Sequence, residues 1–275
     1  MTPAAVAFEL RQASGTRPFV PALVDGVPVS LMVHSNASLG LMLTHDTAAR
    51  VGLATGDVER PDYGIAAVGR LGGRGRASAA VGSLQVGDDV ATDVRATVFE
   101  LPTEPDEEPV EGMLGLGWLR GRGVVVDLAR RLVVPGGGPI DGVVLRRRPD
   151  WDAWVIDTVV NGRAAQWVVS TVAGVLVDAP AAHRLGLALG DAAEDDGGPT
   201  GTVVTTRHVT GPWSVDVGGR SFAVHDAIAS DLYAYAATPR TGKDETFAGY
   251  LGCDFLLEHR AVVDLGRGVL ALAGA

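Results

Sequence analysis

Two short polar segments, each directly after an apolar stretch, contain side chains that can move protons or form hydrogen bonds. The first is His34-Ser35-Asn36, and the second, 136 positions later, is Ser170-Thr171-Val172. A histidine titrates near neutral pH, so a residue such as His34 can donate or accept a proton. A serine within hydrogen-bond reach of a histidine can become a nucleophile. Both kinds of chemistry depend on the elements that position the two segments.

The two segments lie in an internal repeat, in which residues 19–134 are echoed by residues 154–272. An Asp-Gly pair at 25–26 matches an Asn-Gly pair at 161–162, and both pairs are typical of tight β-turns. A short helix predicted over 44–53 matches one over 178–187, each ending at a glycine. Finally, Gly-x-Leu-Gly recurs at 112–115 and 249–252, followed in both places by a strand ending in Val-Asp-Leu. The chain therefore contains two copies of one structural unit.

Composition predicts a mainly β protein. The 275 residues include 37 Gly and 15 Pro, and the many valines stand in short apolar runs between turn residues. We expect a first lobe over residues 1–135, a linker and the start of the second lobe over 136–149, and a second lobe over 150–275. The linker prediction rests on the Gly- and Pro-rich run at 135–139.

The ordered landmarks resemble those of the bacterial retropepsin-like aspartic proteases. In that family a β-turn is followed by a strand ending in Asp-Thr/Ser-Gly, a short helix, a flap hairpin and a later Leu-Gly element. The resemblance covers nearly the whole chain, twice. It implies two tandem retropepsin-like β-barrel lobes that form a pepsin-like pseudo-dimer, with a central cleft beneath two β-hairpin flaps.

The chain departs from this family at the residues that carry catalysis. An aspartic protease needs one Asp from each lobe, and the two carboxyl groups share a proton. His34 and Ser170 stand at the two positions where the family has these Asp residues, so we expect no aspartic peptidase activity. Asp157-Thr158-Val159 looks like a damaged family motif, but it precedes the Asn-Gly turn instead of following it. Because Val172 is β-branched and replaces a glycine, we also expect the second loop to differ in shape.

The resemblance places His34 and Ser170 opposite each other on the floor of the cleft. Two interpretations remain open: the pair is catalytic, or it belongs to a hydrogen-bond network that ties the lobes together. Glycine-rich flap tips are expected at 69–73 and 197–201. The expected ligand-binding residues are Ser35, Asn36, Thr171 and Val172 on the floor, and Arg70, Leu71, Gly72, Gly198 and Thr200 at the flap tips.

Three functional hypotheses follow. The first is a non-proteolytic enzyme whose cleft binds and transforms a small apolar or peptide-derived molecule, in a cyclase- or isomerase-type step of a bacterial biosynthetic pathway. The second is a non-catalytic pseudoprotease that binds a peptide or a partner's strand. The third, residual peptidase activity, lacks the paired acids that its mechanism requires.

Charge and spacing limit the partners. A net charge of −10 without a basic face argues against nucleic acid as a partner. The single cysteine, Cys253, is expected to be buried, and no histidine pair has metal-ligand spacing, so we expect no metal and no cofactor. We expect no membrane segment and no secretory signal, hence a cytoplasmic monomer whose two lobes complete the cleft.

Overall fold

The computed structural model describes residues 4–12, 15–102, 108–148, 150–241 and 245–273, and this part of the chain is mainly β. The elements of the first half are β1 (Val6–Ala7), β2 (Glu9–Gln12), β3 (Thr16–Val24), β4 (Val27–His34), β5 (Leu41–Thr44), α1 (His45–Val51), β6 (Ile65–Ala67), β7 (Arg70–Leu71), β8 (Ala77–Val86), β9 (Asp89–Phe99), β10 (Gly112–Gly115), α2 (Leu116–Gly121), β11 (Val125–Asp127) and β12 (Leu132–Val134).

The elements that follow are β13 (Val143–Val144), β14 (Arg146–Arg148), β15 (Ala153–Val160), β16 (Arg163–Val169), β17 (Val175–Asp178), α3 (Ala179–Leu185), β18 (Ala188–Gly197), β19 (Val203–Thr210), β20 (Trp213–Val217), β21 (Arg220–Val224), β22 (Ala227–Ser230), α4 (Leu232–Tyr235), β23 (Phe247–Leu251), α5 (Cys253–Glu258), β24 (Val262–Asp264) and β25 (Val269–Ala271).

The first half forms a barrel-like sheet with strand order β2-β3-β4-β10-β5-β9-β8. A further antiparallel pairing of β3 with β8 joins Leu23 to Gln85 and Val24 to Leu84, which closes the sheet on itself. Side chains alternate along these strands, so one face fills the barrel and the other faces outward. The buried residues Val20, Leu31 and Leu114 illustrate the inner face.

The second half forms a larger barrel-like sheet with the same central pairings. Strand β10 runs parallel to β4 and antiparallel to β5, and β23 has the same relation to β16 and β17. Likewise β5 is parallel to β9, as β17 is to β22. The repeat read from the sequence therefore corresponds to a repeated strand topology.

A third sheet joins the two halves. Its order is β1-β12-β11-β24-β25-β13, and the central pair β11–β24 is antiparallel, with Val126 opposite Val263. These two strands carry the Val-Asp-Leu endings found in both copies. Each copy thus contributes the same strand to the junction, and a large buried apolar cluster contains residues of both halves.

The predicted turns and helices occur where the sequence placed them. Asp25 and Asn161 have positive φ angles of 47° and 49° at the first position of their hairpin turns. Helices α1 and α3 end at Gly52 and Gly186, whose φ angles are 84° and 71°. Glycine tolerates this left-handed conformation without the steric cost that other residues incur.

The stretch expected to be a linker is more structured than its composition indicates. It contains β13 and β14, and β13 pairs with β25 of the sheet that joins the two halves. Gly136 and Gly137 donate backbone hydrogen bonds to Arg122 and Gly123. The glycine-rich run is therefore packed against the end of α2, because its missing side chains allow close backbone approach.

We predict that Gly252→Ala destabilises the protein by about 3 kcal/mol, because an added Cβ would lie 1.9 Å from the carbonyl oxygen of Gly174. Gly121→Ala is the matched control, since its added Cβ meets nothing within 4 Å. Chemical denaturation followed by circular dichroism measures both variants. Equal stabilities of the two variants would contradict the tight approach at Gly252.

Candidate functional site

The two polar segments meet in a reciprocal set of hydrogen bonds between the halves of the chain. Ser35 N donates to Thr171 Oγ1 at 2.9 Å, and Thr171 N donates to Ser35 Oγ at 2.9 Å. Each hydroxyl then donates across the junction, Ser35 Oγ to Val169 O at 3.0 Å and Thr171 Oγ1 to Val33 O at 2.6 Å. Ser35 and Thr171 are 1% and 0% exposed, so water does not compete for these bonds.

Ser170 lies beside this junction and faces Asn36 of the first half. Its Oγ is 2.9 Å from Asn36 Oδ1 and 3.1 Å from the carbonyl oxygen of Val172. Ser170 is 2% exposed. In the described part of the chain His34 and Ser170 form no hydrogen bond with each other. This arrangement therefore lacks the serine–histidine hydrogen bond that activates a serine nucleophile. A catalytic role for Ser170 stays a prediction.

We call the two meeting segments, residues 34–36 and 170–172, the floor. His34 ends β4, directly before Ser35, and is half-buried. Its Nδ1 atom is buried and has no hydrogen-bond partner among the described residues. The pKa of His34 is lowered to about 4, mainly by burial and also by the positive charge of Arg17, while hydrogen bonding with Asn36 and with the backbone opposes the fall. The imidazole is therefore neutral at physiological pH, and its Nδ1 atom is a buried polar group without a partner in the described part of the chain.

The loops that carry the two segments differ in backbone conformation, as the valine at position 172 led us to expect. Ala173 has a positive φ of 62°, whereas Val172, Asn36 and Ala37 do not. In the second loop Ala173 N also donates to Thr16 O at 2.9 Å. The left-handed conformation thus falls on alanine instead of the β-branched residue, for which it would cost more.

Two hairpins, one in each half of the chain, include the residues expected at the flap tips. The first consists of β6 and β7, and its tip is Val68-Gly69, one residue earlier than the expected start at 69. Arg70 and Leu71 belong to strand β7, while Gly72 packs against Glu100 and bonds to Gly64 O at 3.0 Å. The second hairpin consists of β18 and β19, and its connection spans 198–202, close to the expected 197–201.

The second hairpin's tip contains two of the predicted ligand-binding residues. Gly198 N donates to Thr202 O at 2.9 Å, and an added Cβ at Gly198 would lie 2.2 Å from Tyr235 O. Thr200 is half-buried, and its Oγ1 has no hydrogen-bond partner among the described residues. Thr200 therefore contributes a buried hydroxyl that the described residues leave unpartnered, whereas Gly198 allows the tip to pack against α4.

The hairpin from each half contacts the other. Gly64 N at the base of the first hairpin donates to Pro199 O in the second at 2.9 Å. An added Cβ at Gly197 would lie 2.8 Å from Cα of Val68, and one at Gly69 would lie 2.7 Å from a methyl group of Val203. The tips thus approach so closely that only glycine fits at two of the contact points.

Three ionisable residues that the sequence did not single out surround this region. Tyr235 lies against the tip of the second hairpin. Its pKa is raised to about 12, mainly by burial, with Asp196 and Tyr63 contributing to the rise and Arg17 opposing it. Arg17 influences both His34 and Tyr235, so its guanidinium lies near both. Tyr63, at the base of the first hairpin, is in edge contact with Phe99 at 6.2 Å between ring centroids.

An apolar cluster adjoins the floor on the side of the first half. It contains the three methionines Met32, Met42 and Met113, and Val172 of the second half packs into it. Methionine adapts to irregular shapes because its side chain is unbranched and flexible. Val172, expected to contact a ligand, therefore also contributes to packing between the halves.

The residues set aside on sequence grounds occupy ordinary structural positions. Asp157 is exposed on β15, and both of its carboxylate oxygens lie 2.7 Å from Arg146. Cys253 is buried, and burial raises the pKa of its thiol to about 12. In the described ranges no three His, Cys, Asp or Glu side chains cluster as metal ligands would. Over the same ranges none of the helices has the length and apolar character needed to cross a bilayer.

The described residues define a mainly β protein with two barrel-like sheets, whose two halves meet through the paired hydroxyl groups of Ser35 and Thr171. No protein-family model matches the sequence, and no curated protein is significantly similar to it. Among solved structures, the chain is similar to a retropepsin-like aspartic protease from Rickettsia conorii, at 20% identity and a TM-score of 0.31. That similarity covers 48% of this chain and 88% of the other.

We predict that Thr171→Val destabilises the protein by about 3 kcal/mol, because it removes the hydroxyl that accepts from the buried Ser35 amide and donates to the Val33 carbonyl. Ser221→Ala, which removes an exposed hydroxyl bonded to Ser214, should cost less than about 0.5 kcal/mol. Urea denaturation compares the two variants. A cost at Thr171 as small as that at Ser221 would show that the reciprocal bonds do not hold the halves together.

His34 predicts a defined loss of stability in acid. Its folded-state pKa of about 4 lies below the ordinary 6.5, so protonation favours the unfolded chain. Above pH 6.5 the histidine is neutral in both states, and stability falls as the pH drops from 6.5 towards 4. At pH 4.5 the wild type should have lost about 2 kcal/mol relative to its own value at pH 7.5 through this residue.

Denaturation of the wild type and of His34→Gln across this pH range measures the effect. The stability difference between the two proteins should be constant above pH 7 and should shift in favour of the variant below pH 6. A difference that stays constant down to pH 4.5 would contradict the neutral, desolvated imidazole.

Proposed function

We propose that the chain forms a pepsin-like pseudo-dimer of two aspartic-protease-like lobes, residues 1–135 and 150–275, whose cleft binds a small apolar or peptide-derived molecule without hydrolysing it. The observation that carries this proposal is the meeting of two carboxylate-free segments at residues 34–36 and 170–172. They meet where the family that this sequence resembles has its paired acids.

The chemistry of the floor supports a non-peptidase. Water activation by an aspartic dyad needs two carboxyl groups that share one proton. Here the two corresponding side chains are a neutral imidazole and a hydroxyl that faces Asn36. An imidazole with a pKa near 4 is a weak base at neutral pH, because general-base catalysis is most effective when the pKa lies near the working pH.

The contact between the hairpins β6–β7 and β18–β19 is consistent with a small ligand that is held away from water. The hairpins contact each other through the Gly64–Pro199 hydrogen bond, so entry of a ligand requires them to separate. His34 Nδ1 and, in the tip of the second hairpin, Thr200 Oγ1 lack partners in the described part of the chain, and the methionine-containing cluster contains Val172. A ligand with an apolar body and one or two hydrogen-bonding groups fits this combination.

Within this proposal the cleft transforms its ligand in a cyclase- or isomerase-type step. A cleft closed by the two hairpins would favour such reactions, because it would fix the ligand's conformation and exclude water. His34 then acts as a neutral hydrogen-bonding group that orients the reacting atoms. The second candidate is a non-catalytic pseudoprotease that binds a peptide, and the same unpartnered groups would then contact the peptide backbone.

A peptide library tests the absence of peptidase activity. We expect no cleavage that is abolished by a pepstatin-type inhibitor, as detected by mass spectrometry. Binding of blocked apolar tetrapeptides and of small apolar metabolites, measured by ligand-observed NMR, then tests the cleft. Inhibitor-sensitive cleavage would overturn the proposal.

Two variants in and beside the hairpins make the binding test specific. Gly197→Ala should weaken binding, because the added Cβ forces the two hairpins apart at Val68. Gly73→Ala lies in the same region but meets nothing within 4 Å, so it should bind as the wild type does. A His34→Ala variant that still binds a metabolite but no longer converts it identifies an enzyme, and binding without conversion by the wild type identifies a binder.

A further inference from the structure

A cavity of about 720 Å³ opens between α3 and the first residues of β16 and β23. It is built from the second half alone and shares no residue with the polar floor. Its charged lining consists of Arg163, Arg184, Arg240, Asp178 and Glu245. Three guanidinium groups at one cavity are unusual in a chain with a net charge of −10.

Arg240 is neutralised by its neighbours. It forms two hydrogen bonds with the buried carboxylate of Asp178, at 2.6 Å and 2.7 Å, and a third with Asp231 at 2.7 Å. These contacts raise the pKa of Arg240. Arg240 therefore closes one side of the cavity as part of an ion-pair network and is not available to a ligand.

Arg163 and Arg184 are held by neutral groups. Arg184 donates to Ala164 O at 2.8 Å and to Phe247 O at 3.1 Å, and Arg163 donates to Arg184 O. In the ranges that the structure describes, neither arginine forms a salt bridge. Their hydrogen bonds fix the two guanidinium groups in place without compensating their charge.

In the first copy of the repeat, the arginine that corresponds to Arg184 has its charge compensated by a carboxylate. Arg50 occupies the place of Arg184, and it donates to Pro28 O as Arg184 donates to Ala164 O. Arg50 also forms a salt bridge with Glu111. The other carboxylate oxygen of Glu111 accepts the backbone hydrogen bond of Ser30 at 2.6 Å.

The second copy has lost this carboxylate and gained a cation. Ala248 stands at the position of Glu111, and Arg163 stands at that of Val27. Carbonyl oxygens of Thr246 and Phe247 replace the two carboxylate contacts. A strand irregularity between Gln166 and Trp167 accompanies the change. The hydrogen bonds are thus preserved, but the negative charge is not.

We propose that this cavity is a binding site for an oxyanion, a carboxylate or phosphate group of a small ligand, held by Arg163 and Arg184. Guanidinium groups bind such anions through paired, charge-assisted hydrogen bonds. The pKa of Arg184 is lowered, mainly by desolvation, with Asp178 opposing the fall and Arg163 adding to it. The positive charge is therefore under-compensated where an anion would sit. Glu245 also lines the cavity, forms no salt bridge with the residues that the structure describes, and would compete with an anionic ligand.

Titration of the full-length protein with inorganic phosphate and, separately, with acetate tests the site, at constant ionic strength set with chloride. The arginine Nε–H signals in ¹⁵N NMR spectra report binding. We expect saturable shifts with a dissociation constant on the order of millimolar for at least one anion. Saturation by phosphate alone identifies a phosphate site, and saturation by acetate identifies a carboxylate site.

Three variants make the result specific. Arg163→Gln, at an exposed position, should weaken binding roughly tenfold, and Glu245→Gln should strengthen it. Arg50→Gln, in the first copy, should leave the affinity unchanged. Shifts that do not saturate with either anion, or equal effects of Arg163→Gln and Arg50→Gln, would overturn the proposal. Because the cavity shares no residue with the polar floor, its failure leaves the function proposed for the cleft untouched.

Discussion

The reciprocal bonds between Ser35 and Thr171 are the constraint on which the rest of the structure depends. Two loops from distant parts of the chain are buried against each other, and buried backbone groups must find partners. Each hydroxyl satisfies backbone groups of the other half of the chain, because it accepts a hydrogen bond from an amide and donates one to a carbonyl. This fixes the relative position of the two floor segments, and with them His34 and Ser170.

The sheet formed by β11 and β24 supports this junction from another direction. Because the pairing places Val126 opposite Val263, the same strand of each copy meets its counterpart. The hydrogen-bonded floor and the shared sheet are both products of the sequence repeat. A repeat that pairs with itself brings the two polar segments together, and that meeting point is a reason to look for function there.

Much of the fold could be read from the sequence because its determinants are local. Asp25-Gly26 and Asn161-Gly162 require left-handed backbone, and Gly52 and Gly186 end helices, whatever surrounds them. The two polar floor segments were located through the same repeat. Arg17, Tyr63 and Tyr235 were not, because their places beside the floor depend on tertiary contacts that no spacing encodes. The tip of the first hairpin was misplaced for a related reason: Gly72 serves a close contact with Glu100 and not a turn.

Differences between the two copies separate structural from functional constraints. Both copies keep a hydroxyl at 35 and 171, since either residue type can complete the junction. Their neighbours differ, His34 against Ser170 and Asn36 against Val172, so the floor is chemically asymmetric although its supports are symmetric. Asymmetry gives a bound ligand a single preferred orientation, whereas two identical lobes would accept it in two. For the ligand-binding cleft that we propose, an uncharged imidazole on one side and an apolar valine on the other would favour a ligand with a polar end and an apolar end.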